Sequence, residues 1–469
     1  MKKTIVVGAG GGGIASAALA AIRGEDVTLI EAHENLGGCA SWFSRGDYAF
    51  DVGATTLSGL GDQEPLGKLF KLLGEKPKLT RVNPGIVFHI SNGQKVRYFQ
   101  NFEKWMAELT RVFPNLEHRG FWEKVYELNS HAWGLLDVVD SFPFKKLEDL
   151  ASVLKNPRYF SLYPYLMVST ELMLKRHQLD HPDYLELING ILIISAQSEA
   201  PDVPFLVGAM ALAYPQATYA PVGGMKGLMD FFEMRLKALG VKILKNAYVS
   251  SIENKKLTLR NGESLTSDEI ILNVSYWDIP SLFKNQEREL LEVEMAEDKT
   301  GWGAFTLYFA SPSKVYELYQ QVHLNLPEVK NYFVSFSEPD EKEFQSVTIS
   351  THVMAEIWET MDKATYREEK LHLQNLILND FKKRFGIDHL RYVISGTPKT
   401  FKRYTHRKSG FVGGLPFLYG MNPWKLQGHS TKLDYVHRVG DTTFPGQGLV
   451  GVVAGAFALD KEIKKGSSR

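Results

Sequence analysis

A glycine-rich turn between two short apolar runs, within the first 31 residues, limits the fold more than any other part of the sequence. Residues 4–7 (TIVV) are β-branched, and Gly8, Gly10 and Gly13 follow with the spacing GxGxxG. Apolar residues at helical spacing come next, and a second apolar run ends in Glu31. Strand, glycine turn, helix, strand and terminal acid are the order of a dinucleotide-binding βαβ unit. A purely structural βαβ unit is the alternative.

Each part of this pattern has a separate mechanical role. Gly8 permits the tight turn, Gly10 lets the backbone approach a pyrophosphate, and Gly13 allows the helix to pack closely on the strand. The pyrophosphate is expected at the positive end of the helix. Glu31 is placed to accept a hydrogen bond from a ribose 2′-hydroxyl, and it would repel a 2′-phosphate.

A second glycine pair indicates which dinucleotide binds. Gly37, Gly38 and Ala40 stand in the segment GGCAS, and FDVGAT follows at residues 50–55. An NAD domain needs no second pair here, whereas an extended flavin dinucleotide requires further close approaches of backbone toward its ribityl chain and ring. FAD is therefore the expected cofactor.

Two later segments support a flavin. Residues 439–453 (VGDTTFPGQGLVGVV) predict a strand end, an acid at Asp441 for a ribityl hydroxyl, a Pro/Gly loop and an apolar helix from about Leu449. The N–H groups at the start of that helix would favour reduced flavin by roughly 0.3–2 kcal/mol. A tightly packed final helix is the alternative. Residues 220–252 predict a further helix and strands that complete the sheet, with backbone near Val249 able to reach the adenine.

Composition excludes several classes of function. The 469 residues include 54 Lys plus Arg, 54 Asp plus Glu and one Cys. The length predicts two or three domains. Balanced charge gives no general attraction to nucleic acid, and one Cys excludes an internal disulfide and a Cys-rich zinc site. We expect no metal, because neither a helical His pair nor HExxH is present. The lone Cys fits a reducing, cytoplasmic location.

The middle of the chain follows a different pattern. Between about residues 81 and 215, amphipathic helical runs carry aromatic faces that include Trp105 and Trp122, and for any one of these residues a place in the core is the expected outcome. Alternation in residues 301–311 and 332–357 predicts antiparallel strands under a substrate site. Residues 141–146 (SFPFKK) combine aromatics with cations and suit a membrane surface, with an ordinary loop as the alternative.

Together these segments resemble the phytoene desaturase, carotenoid isomerase and retinol saturase family of FAD-dependent enzymes, within the amine-oxidase-like flavoprotein superfamily. The resemblance covers essentially the whole chain. The GGCA and FDVGA forms are more similar to the carotenoid isomerase and retinol saturase side than to bacterial phytoene desaturases, which more often have GGK or GGR. The matching stretches are VVGAGGGGIASAALA, LIEAHENLGGCASWFSRGDYAFDVGATTLSGL, YAPVGGMKGLMDFF, GTPKTFKRYTHRKSGFVGG and VGDTTFPGQGLVGVVAGA.

The resemblance implies an α/β fold in which a Rossmann-like FAD-binding domain is interleaved with an α+β substrate-binding domain that carries a helical cap. The FAD-binding segments are expected at residues 1–80, 216–285 and 425–469. The cap is expected at residues 81–215 and the substrate-binding sheet at 286–424. Since amine oxidases can carry a covalent link in their C-terminal part, the position of Cys39 near the N-terminus favours noncovalent FAD.

The same resemblance implies the cofactor contacts residue by residue, and no catalytic acid or base transfers with them. The implied contacts are Gly8, Gly10, Gly13 and Glu31 on the ADP half, Gly37, Gly38 and Ala40 near the diphosphate and ribityl, Val249 at the adenine, Asp441 at the ribityl or diphosphate, and Gly448, Leu449 and Val450 at the pyrimidine edge.

The implied activity is that of an FAD-dependent oxidoreductase or isomerase acting on an apolar isoprenoid or carotenoid-like polyene, by desaturation, saturation or cis–trans isomerisation. An external electron donor or acceptor is expected, and contact with a membrane surface is a further expectation. Arg403, Tyr404 and His406 are candidates to approach a substrate head group or the ring, with surface placement as the alternative. An amine-oxidase-like enzyme with a polar substrate and a non-catalytic prenyl-group binder are the alternative functions.

Overall fold

A computed structural model describes residues 1–138, 157–294, 301–315, 317–421 and 426–466. The strands in chain order are β1 Lys3–Val7, β2 Asp26–Ile30, β3 Trp42–Arg45, β4 Tyr48–Asp51, β5 Leu79–Arg81, β6 Ile86–His89, β7 Lys95–Tyr98, β8 Tyr219–Pro221, β9 Lys242–Leu244, β10 Val249–Glu253, β11 Lys256–Leu259, β12 Ser264–Thr266, β13 Glu269–Leu272, β14 Trp302–Pro312, β15 Tyr319–His323, β16 Asn331–Phe336, β17 Phe344–Met354, β18 Arg391–Gly396 and β19 Val436–Arg438.

The described residues also form α-helices, and short 3₁₀ turns join several of the elements. In chain order the helices are α1 Gly11–Ile22, α2 Pro65–Leu73, α3 Phe102–Val112, α4 Arg119–Val138, α5 Pro157–Phe160, α6 Thr170–Arg176, α7 Pro182–Ser195, α8 Phe205–Ala213, α9 Gly224–Ala238, α10 Asn285–Glu294, α11 Ala355–Thr360, α12 Lys363–Phe385, α13 Pro398–Thr405 and α14 Gly448–Gly466.

The predicted βαβ unit forms one side of a parallel five-stranded sheet. Its strand order is β19-β13-β1-β2-β9, and each neighbouring pair is parallel. β1 lies at the centre, where Ile5 and Val6 are buried on opposite faces of the sheet. Helices α1 and α14 pack beside it, and the hydrophobic cluster there joins residues of both, such as Ile14 and Val453. The predicted α/β fold class is confirmed.

A second, seven-stranded sheet forms the other half of the molecule. Its order is β18-β14-β17-β16-β15-β6-β7. The long pair β14 and β17 runs antiparallel through eleven partners, from Trp302 opposite Met354 to Pro312 opposite Phe344. The strands expected from the alternation in residues 301–311 and 332–357 are therefore present.

One segment differs from its expected place. Residues 86–98, which the sequence assigned to the helical cap, form β6 and β7 at the edge of the seven-stranded sheet. β6 pairs in parallel with β15, Val87 opposite Gln320. Two strands of four residues carry little periodicity of their own, and a pairing across more than 230 residues leaves no local signal. The division into domains stays a prediction, and this segment belongs with the sheet.

The aromatic helical faces pack into the core between the cap helices and this sheet. Trp105 and Trp122 are both fully buried, with ring centroids 5.2 Å apart at a near-perpendicular angle. Tyr98 of β7 stacks on Trp105 at 4.2 Å. Such pairs add about 0.5–1.5 kcal/mol each beyond the area they bury. These residues are therefore core, as expected.

In the described part of the chain, no helix is both long enough and apolar enough to span a bilayer. The segment 141–146, which the sequence suggested for a membrane surface, lies outside the described residues.

Candidate active site

A single continuous cavity of about 1520 Å³ runs from the glycine turn of the five-stranded sheet to the face of the seven-stranded sheet. Sites for one small ligand typically occupy about 300–1,000 Å³. The cavity therefore has room for a dinucleotide and a second ligand. Eleven of the twelve predicted cofactor residues line it: Gly8, Gly10, Glu31, Gly37, Gly38, Ala40, Val249, Asp441, Gly448, Leu449 and Val450.

Gly13 is the exception. It lies behind the cavity wall, where a Cβ would collide with the carbonyl oxygen of Gly8. Gly8 itself adopts φ +93°, which a side chain would strain. Gly13 thus permits close packing of α1 on β1, and the structure gives it no direct place at a ligand.

The first turn of α1 is open to the cavity. Gly10, Gly11 and Gly12 line it, and no side chain caps this end of the helix. Uncapped N–H groups at a helix N-terminus and the positive end of the helix dipole together favour an anion. This end of the cavity therefore suits a pyrophosphate.

Glu31 ends β2 with its carboxylate held in a fixed orientation. Oε2 accepts from the N–H of Ala9 at 2.7 Å and Oε1 accepts from the N–H of His33 at 2.9 Å. Burial raises the pKa of Glu31, and the two backbone hydrogen bonds oppose that rise. Each oxygen keeps a free lone pair, so the carboxylate can accept from a ribose hydroxyl.

The second glycine pair sits directly against the first turn. Gly37 adopts φ +112°, forms an isolated parallel bridge with Gly10 and donates its N–H to the oxygen of Ala9 at 2.8 Å. A Cβ on Gly38 would lie 3.5 Å from the Cα of Gly10. The two backbone segments therefore form one surface without side chains, as a closely approaching ligand requires.

The start of α14 completes this surface. Gly448 begins the helix with φ +70°, and Gly448, Leu449 and Val450 line the cavity. A Cβ on Gly11 would collide with the side chain of Leu449. The N-termini of α1 and α14 thus meet at the cavity, and both present positive helix ends to it.

Val249 begins β10 and lines the cavity beside the aromatic ring of Tyr248. His406 meets that ring edge-on at 4.7 Å, and Tyr404 lies 6.0 Å from His33. Tyr404 and His406 therefore lie near Glu31 and Val249, through their ring contacts with His33 and Tyr248. Both side chains line the cavity, so their approach to a substrate head group or a flavin ring stays a prediction, whereas Arg403 does not line the cavity.

Asp441 lines the cavity but is already paired. Its two oxygens accept from Nη1 and Nη2 of Arg407 at 2.7 and 2.8 Å. Burial alone would lower the pKa of Arg407, but the charges of Asp441 and Cys39 raise it above its ordinary value. Nη1 also lies 3.8 Å from Cys39 Sγ. Sequence reasoning missed Arg407, because its partners are 34 and 368 residues away.

Asn273 is a second residue that sequence reasoning missed. It follows β13, donates Nδ2 to the oxygen of Gly8 at 3.2 Å, and would meet a Cβ on Gly10 at 2.8 Å. Its side chain thus packs against the glycine turn and holds it by a hydrogen bond. A polar residue at the carboxyl end of an apolar run was the available signal, since ligands of parallel sheets bind at that edge.

Residues 51–55, the 51–55 loop, lie between the GGCAS segment and the seven-stranded sheet, and Val52 to Thr55 line the cavity. Tyr308 donates to the oxygen of Val52 at 2.6 Å, and Thr55 Oγ1 lies 2.6 Å from Ser335 Oγ. Asp51, the first residue of this loop, accepts from the N–H of Met225 at the start of α9 at 2.9 Å. Burial raises the pKa of Asp51 to about 7.

The residues present fit a flavin dinucleotide. A glycine surface, two helix N-termini and the Glu31 carboxylate suit a pyrophosphate and a ribose, and the cavity continues well beyond them. Across the described residues, no group of three or more His, Cys, Asp or Glu side chains is arranged to hold a metal ion.

Comparisons with known proteins agree with this geometry. The sequence matches the family described as flavin containing amine oxidoreductase over residues 12–457. Prolycopene isomerase of Daucus carota is 25% identical and aligns with 96% of this chain and 77% of its own length, and that of Arabidopsis thaliana is 24% identical with 96% and 80%. The solved structure of an oxidoreductase from Methanosarcina mazei superposes with a TM-score of 0.63 at 16% identity, covering 97% and 99%.

The family match spans nearly the whole chain, and the resemblance inferred from the sequence is confirmed. The chain is a FAD-dependent enzyme of the flavin-containing amine oxidoreductase family.

Proposed function

We propose that the chain acts on an apolar, polyene-type isoprenoid, as an FAD-dependent oxidoreductase or isomerase. The observation that carries this proposal is the character of the far end of the cavity. The described lining residues contributed by the seven-stranded sheet and by helices α4–α8 include no Asp, Glu, Lys or Arg. The relatives named prolycopene isomerase extend over almost the whole chain, which supports the same class of substrate.

The geometry above supports a set of proposed cofactor contacts. We propose that Glu31 holds the ribose of FAD, that Gly10 to Gly12 with Gly37 and Gly38 hold the diphosphate, and that Val249 packs near the adenine. Gly448 to Val450 would border the pyrimidine edge of the ring. Bound FAD supplies hydride or electron exchange with the substrate. The charged pair of Asp441 and Arg407 would lie along the ribityl and diphosphate.

The chain's own contribution is alignment and exclusion of water. Ile194, Val207 and Met210 line the apolar wall, which orders a hydrocarbon chain without polar contacts. Tyr308 and Thr348 hold the 51–55 loop against the sheet through hydrogen bonds of 2.6 and 3.1 Å. A rigid loop between cofactor and substrate regions fixes their separation. Electrons would pass to or from an external acceptor or donor.

The same cavity reaches the surface near the cap. Phe160 and Tyr163 line it and are each 55% exposed, and Met167 close by is 58% exposed. We propose that these side chains dip into a lipid surface, so that an apolar substrate passes from lipid to cavity without crossing water. Liposome flotation tests this proposal: the double variant F160S/Y163S should float with liposomes less than the unaltered protein does. Tyr392→Ser, at an exposed position on the edge strand β18, should leave flotation unchanged.

The substrate class is tested by anaerobic incubation of oxidised and photoreduced holoenzyme with a panel of polyenes and amines. We expect new polyene isomers, or a mass change of two hydrogens, analysed by chromatography and mass spectrometry. Unchanged polyenes together with amines that bleach the flavin would overturn the proposal in favour of an amine oxidase. A purified protein that is colourless and cannot be reconstituted with FAD would count against every enzyme assignment.

A further inference from the structure

On the face of the seven-stranded sheet that borders the cavity, a row of five residues crosses five strands, and three of the five have polar side chains. The row follows the strand register step by step, from β15 through β16, β17 and β14 to β18. All its members line the cavity. They are Gln321, Phe333, Ser350, Thr306 and Gly396. An apolar ligand alone gives no reason for three polar groups at this position.

The next inward-facing position of β17 adds an imidazole. His352 lies two residues beyond Ser350 and therefore on the same face of the sheet. Its cross-strand partner is Ala304, whose small side chain leaves the imidazole open to the cavity that both residues line. Apart from an edge-on contact with Trp302 at 5.8 Å, the imidazole makes no polar contact with a described residue. Burial lowers the pKa of His352 to about 4, so the ring is neutral near pH 7.

The remaining polar groups are also only partly satisfied. Gln321 donates Nε2 to Asn331 Oδ1 at 2.9 Å, and its Oε1 is buried without a hydrogen-bond partner. The Ser350 hydroxyl has no partner among the described residues. A hydrogen-bond donor and an acceptor are thus both available in this part of the cavity, and neither group is charged.

Filling this region with a pure hydrocarbon would remove water from these groups and leave them unpaired. A buried polar group without a partner costs about 1–3 kcal/mol. A ligand with one neutral oxygen would recover part of that loss, whereas a carboxylate or ammonium would meet no opposite charge. The chemistry therefore selects an uncharged oxygen.

We propose that Gln321, Ser350 and His352 form a subsite for the hydroxyl or carbonyl oxygen of an oxygen-bearing polyene. This inference rests on the proposed function and specifies its substrate. The opposite wall from α7 and α8 holds the hydrocarbon part. Tyr308 and Ser335, which anchor the 51–55 loop, lie two residues from Thr306 and Phe333 on the same strands. Two residues along a strand correspond to about 7 Å. The oxygen thus binds beside the 51–55 loop.

The test compares polyenes of equal chain length that end in methyl, alcohol, aldehyde or carboxylate, with binding to the holoenzyme followed by the shift of the polyene absorbance. We expect the alcohol and aldehyde to bind roughly 10-fold more tightly than the hydrocarbon, as one hydrogen bond predicts, and the carboxylate to bind more weakly than the alcohol. In Ser350→Ala and His352→Leu the alcohol should lose its advantage while hydrocarbon affinity is kept or improved.

Ser346→Ala is the matched control, because Ser346 lies on the same strand and does not line the cavity. Flavin content and thermal unfolding identify any variant that fails to fold. If either Ser350→Ala or His352→Leu fails to fold, the alcohol and hydrocarbon affinities are compared in the other. Equal affinity for hydrocarbon and alcohol in a protein that binds polyenes overturns the subsite alone. Absence of binding by every polyene overturns the proposed function and the subsite with it.

Discussion

Arg407 and Asp441 form a bidentate ion pair on the wall of the cavity, with Nη1 and Nη2 of the guanidinium 2.7 and 2.8 Å from the two carboxylate oxygens. The pair joins the segment after α13 to the segment before α14. It also places a cation beside Cys39, within the GGCA motif, where bacterial phytoene desaturases more often carry Lys or Arg. A cation from a distant segment thus lies where the motif itself has none.

Removing one partner of this pair should destabilise the protein strongly. Arg407→Met leaves Asp441 with an unpaired, partly buried charge, and such a loss typically costs about 3–5 kcal/mol. Urea unfolding of Arg407→Met, Asp441→Asn and the double variant measures the coupling. We expect the double variant to lose clearly less than the sum of the two single losses. Simple additivity would mean that the two side chains do not interact.

Glu31 should control retention of the cofactor. Glu31→Arg places a cation where a ribose hydroxyl needs an acceptor and also breaks the hydrogen bonds from Ala9 and His33. Glu31→Gln keeps one acceptor oxygen and should have a smaller effect. Flavin absorbance after dialysis should fall most in the Arg variant, with affinity reduced about 10-fold or more. Asp26→Asn, at the opposite end of β2, is the control, and equal flavin content in all variants contradicts the ribose assignment.

Gly13 should tolerate no side chain although it does not line the cavity. A Cβ at this position meets the backbone oxygen of Gly8, which cannot move without displacing the whole turn. We expect Gly13→Ala to lower stability by about 1–3 kcal/mol and to release flavin, because the turn and the start of α1 shift together. Gly466→Ala serves for comparison, since no heavy atom lies within 4 Å of its added Cβ. Similar melting temperatures for both variants would argue against close packing at Gly13.

Asp51 should make stability depend on pH. Burial raises its pKa from 3.8 to about 7, so between about pH 4 and 7 the folded protein holds a proton that the unfolded chain has released. Stability contributed by this group therefore falls as pH rises through that window, by up to about 4 kcal/mol, and stays low above it. Asp51→Asn keeps an acceptor for Met225 without the charge.

We expect Asp51→Asn to be more stable than the unaltered protein at pH 8 and to show a flatter profile between pH 4 and 7 in denaturant unfolding. Asp47→Asn, on the turn of the same hairpin and 82% exposed at its side chain, should leave the profile unchanged. A profile that is identical for all three proteins would show that Asp51 is ionised in the folded state across this range.

The sequence by itself determined the cofactor half of the molecule. The glycine spacing, the short β-branched runs and the acid at Glu31 are local requirements of a βαβ turn, so they can be identified from neighbouring residues alone. The second glycine pair and the start of α14 were identified for the same reason. Gly13 packs α1 closely on β1, as its place in the motif predicts, whereas the contact with the ADP half that the resemblance implies stays a prediction.

Only the tertiary structure decided which side chains share the cavity. Arg407 reaches Asp441 and Cys39, Asn273 supports a turn 265 residues away, and β6 pairs with β15. Gln321, Ser350 and Thr306 come together only once their strands are in register, since each strand contributes a single polar side chain to the row. Such contacts depend on long-range pairing, which leaves no periodic trace in the chain, and they determine the substrate end of the site.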